Sequence, residues 1–145
     1  MTTTATPVDT PASLDRPLYG AGFGQAVRRF WSRYATFSGR ASRSEFWWWQ
    51  LANLLVAVVL AVIVIAVHGG VDGAQGSPVQ QAVSGVWGVA TLLPALALNA
   101  RRLHDTNRSG WWQLLHLVPL VGSIVLLVWF VSGPKPAGAR FDRAV

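Results

Sequence analysis

Three long stretches of this chain carry no charged side chain: Phe46 to Val71, Gly73 to Ala100 and Ser109 to Pro134. A helix rises about 1.5 Å per residue, so about 20 apolar residues cross a hydrocarbon core of about 30 Å, and each stretch exceeds that length. Asp72 alone separates the first two. With 12% of its 145 residues charged and 52% hydrophobic, so short a chain cannot wrap three apolar helices in a water-facing layer. The pattern predicts an all-α, polytopic membrane protein with three transmembrane helices at about 46–67, 79–100 and 111–132.

The flanking segments follow from their composition. Residues 1–20 are rich in Thr, Ala and Pro, hold no apolar run and lack the basic start of a secretory signal, so a disordered cytoplasmic tail is expected. Residues 21–45 form a short amphipathic, interfacial segment. Phe23, Ala26, Val27, Phe30, Trp31, Tyr34 and Phe37 recur at helical spacing, with Arg28, Arg29 and Arg33 off that stripe. Such a helix can sink its aromatic face into the headgroup boundary with its arginines on lipid phosphate, or pack the same face on its own bundle. Residues 133–145, with Lys135, Arg140 and Arg143, read as a short unstructured tail.

Ser42 and Glu45 have capping-box spacing, and Trp47, Trp48 and Trp49 follow as an aromatic belt. Pro94 is expected to kink the second span. Pro119 and Gly122 interrupt the third, but two arms of about ten residues would each reach only about 15 Å, so one kinked span is expected. Three spans place Arg16, Arg28, Arg29, Arg33, Arg40 and Arg43 with Arg101, Arg102 and Arg108 on one side, against Lys135, Arg140 and Arg143 on the other. The basic excess favours a cytoplasmic N-terminus.

The crowded polar motif is Arg101 to Trp112, reading RRLHDTNRSGWW. Arg101, Arg102, His104, Asp105 and Arg108, joined by Arg40 and Arg43, would stand at the mouth of an intramembrane polar layer of Gln50, Asn53, Asn99, Gln113 and His116. Three functions compete. The polar groups can lock helix ends and contacts with a homo-oligomer or another membrane protein. The arginines can bind an anionic lipid headgroup or a phosphate-bearing ligand. His104 and Asp105 can serve proton-coupled transport or catalysis, although neighbours on a helix point some 100° apart. Ser42 and Glu45 are read as helix cap. No metal set, cofactor motif, nucleophile elbow or cysteine is present, so no enzyme, metal or cofactor is expected. Basic residues beside apolar spans point to membrane lipids and not to nucleic acid.

Three motifs carry a resemblance. Phe37-Ser38-Gly39-Arg40-Ala41-Ser42-Arg43-Ser44-Glu45-Phe46-Trp47, the run Arg101 to Trp112, and Pro119-Leu120-Val121-Gly122 are together similar to the bacterial inner-membrane family of domain of unknown function 805, the YhaH-like proteins. The resemblance covers about 23–142. It implies a small multi-pass protein of the bacterial inner membrane and assigns no activity. Where that family commonly shows Gly-Asn-Arg-Phe-Gly, this chain has Ala139 and Asp142 at the Asn and second Gly, which weakens any role resting on polar side chains of the tail.

Overall fold

The computed structural model describes residues 16–142, so most of the disorder expected over 1–20 lies outside it. Among the described residues every regular element is helical. Helix α1 (Phe23–Ser32) precedes α2 (Arg43–Val67), and a glycine turn leads through the one-turn α3 (Val71–Ala74) to α4 (Pro78–Asp105). A 3-10 helix covers Gly110–Leu117, α5 covers Val121–Val131, and a second 3-10 helix covers Pro136–Phe141.

The all-helical class is as expected, with two long apolar helices and a shorter one. At about 1.5 Å per residue, α2 and α4 are about 37 and 42 Å long. Both have defined beginnings. Ser42 Oγ accepts from the Glu45 amide at 3.1 Å, and Ser77 Oγ accepts from the Gln80 amide at 3.1 Å just before Pro78. Only 11% and 22% of their apolar windows are buried, whereas the core helix of a water-soluble protein would be mostly covered. Val62, Val86 and Val89 lie open on the outer faces, where lipid suits them.

The third apolar segment departs from the single kinked helix expected over 111–132. The rings of Trp112 and Trp129 meet at 5.6 Å, and the Arg108 guanidinium lies 4.3 Å above the Trp129 ring. Its two ends therefore lie together. At the reversal the Val121 amide donates to the Pro119 carbonyl at 2.8 Å, and Leu120 takes φ +62°. Gly122 then passes so close to Leu115 that any Cβ would overlap its carbonyl oxygen. Proline and glycine, read as a kink, instead turn the chain back on itself. Each arm reaches about 16 Å, roughly half the hydrocarbon thickness.

This hairpin returns the tail to the end of the bundle where α2 begins and α4 finishes, not the opposite end as three straight spans required. The tail is ordered there, contrary to expectation. Lys135 N–H donates to the Asp105 carbonyl at 2.8 Å and Gly39 N–H to the Phe141 carbonyl at 2.9 Å. Gly138 is buried, and a Cβ on it would strike the carbonyl oxygens of His104 and Asp105.

Helix α1 packs its stripe on the bundle: Phe30 stacks on Trp49 with centroids 3.3 Å apart, and Trp31 meets the edges of Trp49 and Trp87. Arg29 and Arg33 turn inward and are buried, while Arg28 stays exposed. Two of the three arginines expected to face lipid phosphate therefore face the protein instead. Phe30, Phe46, Trp49, Leu98, Leu103, Leu126 and Phe130 form the core beneath.

Candidate functional site

The last turn of α4 brings Arg101, Arg102 and Asp105 to the centre of the charged end, all three with 0% exposure. Arg102 is saturated. Its Nε and Nη2 both donate to the Phe130 carbonyl at 3.0 Å, Nη2 also reaches the Ser132 carbonyl, and Nη1 pairs with Asp105 Oδ2 at 2.5 Å. The carbonyls that α5 leaves open at its C-terminus are thereby met by a cation, the sign its dipole favours there. Asp105 also accepts from the Tyr19 hydroxyl at 2.8 Å and faces Arg40 Nη1 at 3.8 Å.

Arg40 is held outside this centre by Asp142, with contacts of 2.9 Å from Nε to Oδ1 and 2.6 Å from Nη2 to Oδ2. That bidentate bond, more than any other influence, holds the guanidinium above its ordinary pKa. The tail residue that departs from the family pattern is therefore an ion-pair partner in this chain. Burial, followed by the hydrogen bond to Asp105, pushes the Tyr19 phenol up to about 12.

A second buried group lies beside the first. Glu45 contacts Arg29 Nε at 3.1 Å, off the hydrogen-bonding angle, and accepts from the Leu18 amide. The reciprocal capping bond from Glu45 to the Ser42 amide is not made; Ser42 Oγ instead donates to the Leu18 carbonyl at 2.6 Å. Residues 16–21 are thus fastened across the start of α2. Arg101 feels the charges of Arg29, Arg33 and Glu45. Its Nε donates to the Ala97 carbonyl at 3.2 Å, while both Nη atoms are buried with no hydrogen-bond partner.

His104 and Asp105 form no dyad. The imidazole stacks on Phe141 at 4.1 Å and 5°, and its Nδ1 donates to the Gly39 carbonyl at 3.0 Å. No three His, Asp or Glu side chains gather into a metal site among the described residues. Arg16, Arg28, Arg43, Lys135 and Arg140 remain exposed, and Arg108 is half-buried over Trp129. Arg43 borders a groove of about 400 Å³ with Ser44, Trp47, Trp48, Leu51 and Val131.

The amide layer is brought together only in part. Gln50, Asn99 and His116 line one cleft of about 340 Å³ between α2 and the hairpin. Asn53 instead accepts from Trp87 Nε1 at 2.9 Å, fastening α2 to α4. Gln113 lines a separate hollow with His104 and Phe37, its Oε1 buried and unmatched. Ser123 completes the first cleft. Its place depends on the hairpin, for a straight span would carry it to the opposite half of the membrane. Tyr19 and Asp142 are the other participants missed, since nothing in the spacing marks Tyr19 as a partner of Asp105, 86 positions away, or Asp142 as a partner of Arg40, 102 positions away.

An all-helical membrane protein with a charge-locked rim and a short helical hairpin is the class that this architecture defines. Residues 34–143 match the family described as "Protein of unknown function (DUF805)", and the chain belongs to that family. It is 44% identical over 110 residues to the inner membrane protein YhaI of Escherichia coli (strain K12), covering 76% of this chain and 86% of that one. It is 34% identical over 108 residues to the inner membrane protein YhaH of the same strain, covering 74% and 85%. The uncharacterized protein YiiR of that strain is 33% identical over 99 residues, covering 65% and 61%. No solved structure matches the chain. The names of the first two agree with the apolar helices in assigning the chain to the inner membrane.

Proposed function

We propose that this protein is a structural and interaction component of the bacterial inner membrane, in which the arginine motif acts as an internal lock. The lock ties the half-depth hairpin, the tail and residues 16–21 to the two long helices. It leaves one basic, tryptophan-bordered face for the anionic inner leaflet and for neighbouring membrane proteins. The carrying observation is that Arg102 and Asp105, fully buried, are committed to this chain's own groups. A ligand or substrate at that motif would need those groups to be reachable.

The basic residues among those described gather at the charged end, whereas Asp72 stands at the far turn; this supports a cytoplasmic N-terminus, with the C-terminus on the same side. Reporter fusions at residues 105 and 145 should report the cytoplasm and a fusion at 72 the periplasm. Arg102→Ala should lower membrane abundance and alter oligomer size. Normal values of both would reject the lock. A second reading, binding of an anionic lipid, is favoured by the groove at Arg43, where a guanidinium borders an apolar channel. Native mass spectrometry should then retain phosphatidylglycerol on the wild type and lose it in Arg43→Gln.

A further inference from the structure

The cleft between α2 and the hairpin is not used by the lock. Among the described residues, the side chains of Gln50, Asn99 and Ser123 meet no hydrogen-bonding partner, in contrast to Asn53, which is paired with Trp87. Gln50 lies seven residues into α2 and Asn99 six before the end of α4, so the cleft sits about 10 Å inside the charged end. At that depth, water cannot satisfy polar groups as it does at the surface, so unmatched amides favour a polar partner. His116 is the fourth polar lining group. Its Nδ1 donates to the Gln113 carbonyl at 3.0 Å, which leaves the other ring nitrogen as an acceptor in the neutral imidazole.

We infer that this cleft binds the neutral, carbonyl- or hydroxyl-bearing ring of a membrane-dissolved amphiphile, the isoprenoid quinone class, with its tail leaving sideways into lipid. The lining holds two amides, an imidazole and a hydroxyl, and no carboxylate, guanidinium or ammonium group. Amide N–H groups can donate to ring carbonyls, and the imidazole can accept from a ring hydroxyl. Trp47, exposed beside the buried rings of Phe46 and Phe130, supplies an aromatic wall against which a flat ring packs better than a branched ester head. A volume of about 340 Å³ holds such a ring without its tail.

The test uses the full-length chain in phosphatidylcholine nanodiscs, with equal amounts of decylubiquinone, dioleoylglycerol and phosphatidylglycerol, read by native mass spectrometry. The wild type should retain decylubiquinone in preference to the other two. Retention should fall roughly tenfold in Gln50→Leu/Asn99→Leu, the loss expected for two neutral hydrogen bonds. Ser123→Leu fills the cleft from an exposed position without removing a bond from the protein, and it should abolish retention while keeping the wild-type elution profile. Arg43→Gln should leave retention unchanged. Equal retention of dioleoylglycerol, no decylubiquinone on the wild type, or undiminished binding by Ser123→Leu would each overturn the assignment. So would loss of a dimer in the Leu variants with no change in quinone, which would assign the amides to a second copy.

Discussion

Arg102→Ala removes the cation on which the charged end converges. The substitution leaves Asp105 buried, with Tyr19 at 2.8 Å and Arg40 at 3.8 Å as remaining partners. It also strips the Phe130 and Ser132 carbonyls of their donor at the end of α5. Breaking a buried ion pair from one side costs about 3–5 kcal/mol, and a charged hydrogen bond about 1.5–3 kcal/mol, parts of the same loss. A total of about 4 kcal/mol, or roughly a thousandfold in the folding equilibrium, is expected. Reversible unfolding in mixed micelles measures it. Arg102→Met/Asp105→Leu should recover the part due to the stranded carboxylate but retain about 1–3 kcal/mol for the two carbonyls. A cost below about 1 kcal/mol for Arg102→Ala, with normal membrane abundance, would refute the lock.

Arg101→Met should cost under about 1 kcal/mol in the same assay, because both Nη atoms lack partners and the like charges of Arg29 and Arg33 lie near. A loss matching that of Arg102→Ala would contradict this. The chain has no cysteine, so Trp112→Cys/Trp129→Cys gives a unique pair; a short bismaleimide should join them, whereas one straight helix would hold them about 26 Å apart. In a Tyr34→Phe background, near-ultraviolet absorbance should show Tyr19 ionising near pH 12 and not near the usual ~10, with Asp105→Asn lowering the midpoint. Since the folded pKa is the higher one, the stability contributed by Tyr19 is whole below about pH 10 and is lost as the pH rises through about 12. Gly138→Ala should release the tail, at about 1–3 kcal/mol, read as faster tryptic cleavage after Arg140.

Much of the architecture was legible because hydrocarbon imposes a length and forbids charge. The apolar bodies of α2 and α4 follow from the uncharged runs, and Ser42 does receive the Glu45 amide, but α4 continues past Ala100 to Asp105, so the basic motif expected in a loop begins as helix. The third segment was not legible in the same way. Proline and glycine three residues apart fit either a bent helix or a reversal, and the choice turns on contacts such as Trp112 with Trp129. Length alone favoured a bend. The fate of the arginines was equally hidden. A run of guanidinium groups at a membrane edge reads as a headgroup site, yet Arg102 faces backbone carbonyls 28 and 30 positions later in the chain. The apolar stripe of α1 illustrates a third ambiguity, because amphipathic periodicity gives a face without naming what covers it. Here Trp49 covers it.

The hairpin carries a consequence for biogenesis. Translation delivers α2 and α4 to the membrane well before residues 130 to 142 leave the ribosome, so for that interval Arg102 has neither of its carbonyl acceptors and Arg40 lacks Asp142. Until then these guanidinium groups lack the partners that hold them in the finished fold. Closure of the charged end therefore waits for residues 130 to 142.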